Sequence, residues 1–417
     1  MSGLYIHIPF CASRCIYCGF YSTTLLPLQD AYVEALCKEM KMQKPVDPVQ
    51  TVYLGGGTPS LLSRGSLEKL FANIHAIYGR KTEESTVHHP ESFREVTIEC
   101  NPDDITDEFA REIVSLGINR VSIGAQTFSP ARLRFIHRRH TAEQIPAAVH
   151  RLRNAGIHNI SIDLMFGFPG ETLADWEEDL HEALGLQVEH ISAYSLMYEK
   201  GTPLYHLLKE GRIREIDDDL SLEMYKTLLD TLNDNGYEQY EISNFARLNQ
   251  EAHSPSGQST LRSGRKNPGP DHPAWDDRPE TVSPYRSLHN SSYWHEIPYI
   301  GIGAAAHSYN LTSRQWNIAD LHQYIHAIES GNIPCESERL SLDTRYDDLI
   351  TTALRTREGI DLRKMKEEYG DGLYSFLLQN AEPHLKDKNM KIRDHQLSLT
   401  RQGLYISDDI MSDLMDV

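Results

Sequence analysis

Cys11, Cys15 and Cys18 stand in the spacing C-x3-C-x2-C, shortly after a β-patterned run, Leu4-Tyr5-Ile6-His7-Ile8. Three thiolates this close can each hold one iron of a [4Fe–4S] cube and leave the fourth iron without a protein ligand. An open iron can bind a substrate-like molecule, so the spacing points to chemistry more than to structural support. A structural zinc wants four ligands, and the nearest candidate for the fourth is His7. A disulfide between two of the thiols, with one left over, belongs to an oxidising compartment. Cys37, Cys100 and Cys335 stand alone and read as core residues or spectators.

Five further stretches carry groups that could hold a ligand. Tyr53-Leu54-Gly55-Gly56-Gly57-Thr58-Pro59 would let backbone approach a bound group closely. No Lys-Ser/Thr pair follows and no G-x-G-x-x-G is present, so a phosphate loop is not indicated; a tight strand-to-helix turn alone would also explain the glycines. Ile98-Glu99-Cys100-Asn101-Pro102, the run Gly117 to Phe128 with Gln126, Arg138-Arg139-His140, and Ile162-Asp163 through Pro169-Gly170 come next. Carboxylates suit ribose hydroxyls and an ammonium, and an arginine suits a carboxylate. Taken singly, each of these residues could be an ordinary salt-bridge former.

The elements that must position them alternate through the first three hundred residues. Strands are predicted at 3–8, 51–54, 95–100, 119–125, 159–166 and 189–197, and helices near 28–43, 63–78, 107–116, 141–155, 173–186 and 217–235. In the first helix Val33, Leu36, Cys37 and Met40 recur at helical spacing, which puts Cys37 on a buried face. Six such repeats imply parallel strands with right-handed crossovers, closed most economically as a partial (β/α)6 barrel with ligands at the C-terminal strand ends. Strand alternation sets Val96, Ile98 and Cys100 against Thr97 and Glu99, Ser161 and Asp163 against aliphatics, and Arg120, Ser122 and Gln126 against Val121 and Ile123. If helices cover the aliphatic faces, the polar faces line a ligand-sized cavity.

At 417 residues the chain can bury a large core in two or three domains. No apolar run approaches a membrane span, no signal peptide precedes the first strand, and six cysteines are too few for a disulfide scaffold. A cytoplasmic, reducing location is expected. The net charge of −19 argues against a general nucleic-acid binder. Residues 249–286, rich in Ser, Gly, Pro and charge, read as a flexible insertion that interrupts a barrel domain at 1–248. Residues 287–317 would complete the barrel. Residues 318–417 read as mostly helical with a small strand pair near 390–392 and 396–399, a winged-helix-like C-terminal domain whose acidity makes a DNA role unexpected.

The cysteine motif resembles that of the radical S-adenosylmethionine (SAM) superfamily, in which the amino and carboxylate groups of SAM chelate the open iron. The glycine stretch matches the one that meets the SAM amino group there. In the branch containing oxygen-independent coproporphyrinogen III oxidase, residues matching Tyr5, Tyr17, Gly56, Gly57, Thr58, Glu99, Gln126, Arg138 and Asp163 contact SAM. Within that branch the chain is most similar to the HemW-type heme chaperones. The oxidase has a further cysteine where this chain has Phe20, and a longer arm before its cysteines than the ten residues here. Gly236 to Ala246, Gly301 to Tyr309 and His289-Asn290-Ser291-Ser292-Tyr293-Trp294 are typical of the HemW type. The resemblance spans the chain except for the insertion before Ser287, which is longer than usual.

The resemblance implies a [4Fe–4S] cluster on Cys11, Cys15 and Cys18, SAM on its open iron, and heme delivered to acceptor hemoproteins or respiratory enzymes. It links the H-N-x-x-Y-W stretch to heme, with His289 as an axial imidazole; His307, after the Gly-x-Gly turn, is a second candidate for either the cavity or heme. It also implies an electron donor, and extends to peripheral membrane contact. A reduced cluster could cleave SAM to a 5′-deoxyadenosyl radical, so SAM cleavage is a capacity of the fold. Coproporphyrinogen III decarboxylation is the alternative activity and is not expected here; no catalytic residue is assigned.

Overall fold

The structure is a computed structural model that describes residues 2–43, 47–79, 93–248 and 282–416. It divides into two compact units, Met1–Tyr225 with Ser287–Arg345, and Lys226–Arg286 with Tyr346–Val417. Most of the predicted insertion, 249–281, lies outside the described residues.

The first unit is built from β1 (Ser2–Ile8), α1 (Gln29–Met42), β2 (Val49–Gly56), α2 (Arg64–Tyr78), β3 (Glu95–Cys100), α3 (Asp107–Ser115), β4 (Arg120–Gln126), α4 (Pro130–Phe135), α5 (Gln144–Ala155), β5 (Asn159–Phe166), α6 (Leu173–Gly185), β6 (His190–Ser195) and α7 (Pro203–Lys209). Each of β1 to β6 pairs in parallel with the next in chain order. This is the partial (β/α)6 barrel predicted from the repeats. The helices begin where the sequence supplies caps: Ser63 for α2, Thr106 for α3, Ser129 for α4, and for α6 a capping box of Thr172 with Asp175. Helices cover the aliphatic strand faces, where Ile6, Leu54, Ile98, Val121 and Ile162 are fully buried. Cys37 and Cys100 are buried with them, and Cys335 is exposed on a later strand.

After α8 (Asp218–Asp234) the chain makes a hairpin, β7 (Tyr237–Glu241) and β8 (Asn244–Arg247). The sequence boundary at 248 would leave this hairpin in the barrel. The structure groups it with the C-terminal residues, through bonds between residues distant in sequence. Ile242 N donates to Arg355 O, and Arg286 Nη2 and Nη1 bridge Glu238 at 2.9 Å and Glu358 at 2.7 Å. A unit assembled from two separated stretches of chain cannot be read from contiguous composition.

The first unit resumes with α9 (Leu288–Trp294) and β9 (Tyr299–Ile302), which pairs in parallel with β1, Tyr5 opposite Gly301. β10 (His307–Tyr309), β11 (Ser313–Asn317) and, after α10 (Leu321–Glu329), β12 (Cys335–Arg339) extend the sheet antiparallel. This ribbon was not predicted; its strands are too short and polar to show a clear period. Its root is the buried Glu39, which accepts from Gly303 N at 2.8 Å, Asn317 Nδ2 at 2.6 Å and the Tyr324 hydroxyl.

The C-terminal part contains α11 (Leu342–Ala353), β13 (Ile360–Asp361), α12 (Leu362–Lys386), β14 (Met390–Arg393), β15 (Gln396–Leu399), α13 (Arg401–Leu404) and α14 (Ser407–Leu414). The predicted strand pair gains a third member, giving the order β13-β15-β14. Among the described residues no helix is long and apolar enough to cross a membrane.

Candidate functional site

The three cysteines lie on the loop that leaves the C-terminal end of β1, each a free thiol at intermediate exposure. The loop is pinned at its start by Cys11 N to Thr23 O at 2.9 Å and Thr23 N to Pro9 O at 2.7 Å. Between the second and third cysteines Ile16 is buried against Ile136, Met165, Phe168, Leu196 and Leu204, with Tyr17 packed on the same cluster. Its backbone is held on both sides, N to Ile136 O at 3.4 Å and O from Leu204 N at 2.9 Å. An apolar anchor thus fixes a loop whose polar work is done by sulfur. Burial pushes the Cys11 and Cys18 thiols up from their ordinary range. The Thr58 hydroxyl, 3.7 Å from Cys11 Sγ, opposes that rise, and Arg138 Nη1 lies 3.6 Å from Cys15 Sγ.

His7 is not a fourth ligand. Its Nε2 lies 2.9 Å from Tyr21 O, a carbonyl that can only accept, so Nε2 carries the proton and Nδ1 accepts from the Tyr5 hydroxyl at 2.9 Å. Among the described residues no three His, Cys, Asp or Glu side chains are gathered to hold a metal ion. Zinc would need four donors on a single ion, whereas a cube gives each thiolate its own iron and asks for a wider spread. Three free thiols on one loop match the donor set that a cube takes, one thiolate per iron.

The glycine turn packs against the same loop. An ideal Cβ on Gly57 would lie 2.7 Å from Phe10 O and 2.8 Å from Pro9 C. Gly56, at φ 113, would bring one to 2.5 Å from the His7 ring. The amides are engaged: Gly56 N with Glu99 Oε2 at 3.0 Å, Gly57 N with Ile8 O and Thr58 N with Phe10 O, both at 2.8 Å. With its donors taken, the turn cannot serve as an anion nest.

The lumen face collects the other predicted residues. Glu99 accepts from the Tyr53 hydroxyl at 2.7 Å as well as from Gly56. Burial pushes its carboxyl up to about 7, against the hydrogen bond from Tyr53, and the nearby Asp163 adds to the rise. Asp163 is likewise raised by burial and held by the Ser122 hydroxyl at 3.2 Å. Gln126 ends β4 at φ 66, where the β4–β5 register slips, so the strand end is bent in a sparsely populated conformation. Arg138 Nη2 donates to Gly124 O at 2.6 Å and to Asn101 Oδ1. Its Nε is buried without a partner among the described residues, a donor suited to a ligand carboxylate. Asn101, Ser122 and Tyr53 were not singled out as site residues, although each belongs to a motif or face the sequence displayed.

His289 and His307 differ sharply. His289 is 1% exposed, with Nδ1 2.9 Å from Thr51 Oγ1 and Nε2 2.9 Å from the Tyr293 hydroxyl. Burial holds it neutral, its pKa lowered to about 3. The short helix α9 that carries it is capped by Ser287 and by Glu95, whose two oxygens each accept at 2.9 Å from Leu288 N and His289 N. His307 is exposed on β10 and stacks on Trp316, with no hydrogen bond to either ring nitrogen among the described residues. The two rings are not brought together.

Residues 5–183 match the radical SAM superfamily and residues 340–406 the HemN C-terminal domain. The chain is 32% identical to the heme chaperone HemW of Bacillus subtilis, covering 98% of each chain. It is 29% identical to that of Lactococcus lactis over 98% of this chain and 96% of the relative. The coproporphyrinogen III oxidase HemN of Escherichia coli, described as a radical SAM enzyme, superposes with a TM-score of 0.75 at 20% identity, covering 99% of this chain and 90% of that one. At that identity the likeness speaks for fold alone.

Proposed function

Because this chain belongs to the radical SAM superfamily and, within it, to the HemW family, we propose that it is a heme chaperone that carries a [4Fe–4S] cluster and SAM and passes heme to acceptor hemoproteins. Cys11, Cys15 and Cys18 would hold the cluster. Tyr5, Tyr17, Gly56, Gly57, Thr58, Glu99, Gln126, Arg138 and Asp163 would surround SAM. The observation that carries this reading is Arg138: its guanidinium reaches the Cys15 thiol through Nη1 and keeps a buried Nε without a partner among the described residues, while it also acts on the half-buried Asp163 carboxyl.

The cluster, when bound, supplies an electron able to cleave the SAM sulfonium. The chain's own residues bind and orient. Arg138 suits the SAM carboxylate, and Glu99 and Asp163 suit hydroxyls and an ammonium, whose positive charge would return both acids to the ionised state. Tyr53 and Ser122 fix those acids from behind. Six free cysteines suit a reducing, cytoplasmic setting; an electron donor, respiratory enzymes as acceptors and peripheral membrane contact would be the partners of a protein of this family.

For heme, His307 is the better-placed imidazole. Both of its nitrogens lack partners among the described residues, and partial desolvation lowers its pKa, with Arg314 acting the same way. Ligation through His289 would require it to leave Thr51 or Tyr293. Heme titration of the anaerobically reconstituted protein, followed by addition of an apo-hemoprotein, should give a Soret shift and then transfer. His307→Ala should weaken the shift more than His289→Ala. The reading fails if heme does not bind, or if coproporphyrinogen III with SAM and reductant yields protoporphyrinogen at turnover.

A further inference from the structure

Outside the groups already placed against cluster and SAM, a set of polar and aromatic contacts surrounds His289. Its ring stacks on Tyr53 with centroids 5.2 Å apart and planes 27° from parallel, and Tyr293 meets it edge-on at 5.3 Å. On its other side Tyr53 faces Tyr5 at 6.2 Å and 30°. Gly3 makes the room: an ideal Cβ there would lie 3.1 Å from His289 Cε1 and 3.3 Å from Thr51 Oγ1. The imidazole is thus a neutral spacer clamped by two hydroxyls and pressed against the ring whose hydroxyl holds Glu99.

We propose that His289 and Tyr293 are positioning residues for SAM, setting Glu99 through the Tyr53 ring. The chain of contact runs from the Tyr293 hydroxyl to His289 Nε2, from the imidazole face to Tyr53, and from the Tyr53 hydroxyl to Glu99 Oε1. Glu95 anchors its far end by capping the helix that carries both residues. None of these contacts involves heme, for which His307 stays the better-placed imidazole. The inference rests on the reading of Glu99 as a SAM contact.

The readout is the protonation of Glu99, because the Tyr53 hydroxyl donates to its ionised form and a looser Tyr53 favours the acid. The titratable groups facing Glu99 are Tyr5 from β1, Tyr53 from β2, Asp163 from β5 and Tyr293 from α9. Burial keeps the three tyrosines neutral, and Asp163 is in turn faced by Arg120 and Arg138.

The carboxyl band of Glu99, identified as the one lost in Glu99→Gln, can be titrated by infrared spectroscopy in the cluster-loaded protein before SAM is added. Tyr53→Phe should move its midpoint up by about one pH unit, as loss of one hydrogen bond to a carboxylate does. Tyr293→Phe and His289→Gln, which keep most of the packing, should move it the same way by about half a unit. Tyr53→Phe combined with Tyr293→Phe should match Tyr53→Phe alone, since both act on one bond. General loosening would lower stability without that non-additivity. A midpoint unmoved in both Tyr293→Phe and His289→Gln overturns the proposal. From a midpoint near 7, a rise of about half a unit halves the ionised fraction at pH 7, so SAM affinity should fall about twofold in Tyr293→Phe and in His289→Gln. A shifted carboxyl with unchanged SAM affinity refutes instead the placing of Glu99 at SAM.

Discussion

Replacing Ile16 tests whether an apolar anchor holds the cysteine loop. Ile16 sits between Cys15 and Cys18, 5% exposed, and packs against five buried side chains from later elements. Truncation to alanine removes three carbons, about 2.5 kcal/mol of transfer free energy at roughly 0.8 per carbon. The unfilled space adds to this, so about 3 kcal/mol in total is expected. Where the loop opens as a local unit, that cost falls on its opening equilibrium. A loss of 3 kcal/mol raises the open population about a hundredfold. Valine, one carbon smaller, should cost about 1 kcal/mol and raise it about fivefold. The assay is bleaching of cluster absorbance by an iron chelator under anaerobic conditions, with the rate proportional to the open fraction when reclosure is fast. The expected order is wild type, Ile16→Val, Ile16→Ala, with steps of about five and twenty. Equal bleaching rates in all three would refute the anchor, since the cysteines themselves are untouched.

Two further outcomes follow from the lumen. Glu99 has a folded pKa of about 7, above the ordinary carboxyl value, so the SAM-free folded state binds more protons than the unfolded chain between about pH 4.5 and 7. Its stability contribution is present below that window and lost as pH rises through it, by up to about 3 kcal/mol. Denaturant unfolding of Glu99→Gln should therefore gain on the wild type between pH 5 and 7, and a constant difference would contradict the burial argument. Gly57→Ala places a Cβ against the backbone of Pro9 and Phe10. It should cost about 2 kcal/mol or more and lower iron content after reconstitution, whereas Gly65→Ala, which meets nothing within 4 Å, should leave both unchanged.

Much of the barrel was legible because its elements announce themselves twice, by period and by cap. The α2 reading of 63–78 met Arg64–Tyr78 with Ser63 as its cap, and the β5 span was matched at both ends. The polar alternation in β3 and β5 correctly set Glu99 and Asp163 apart from the aliphatic face, because a buried carboxyl survives only where hydroxyls or a ligand satisfy it. Three things were hidden. The ribbon β10 to β12 has strands of three to five residues, too few to display alternation. The hairpin at Tyr237–Arg247 joins the C-terminal unit through Arg286 and Arg355, long-range partners that no local pattern encodes. The state of the His289 nitrogens depends on Thr51, 238 residues away, so a motif that names the histidine cannot say whether its lone pairs are free.

The central claim is that three thiols carry an iron cube with one corner open to SAM. Electron paramagnetic resonance of the anaerobically reconstituted, dithionite-reduced protein tests it most directly, read with and without SAM. A reduced [4Fe–4S] signal that changes shape on adding SAM, and that is lost in Cys15→Ser, is the expected result. A signal indifferent to SAM, or protein that takes up zinc and ignores iron and sulfide, would contradict the account.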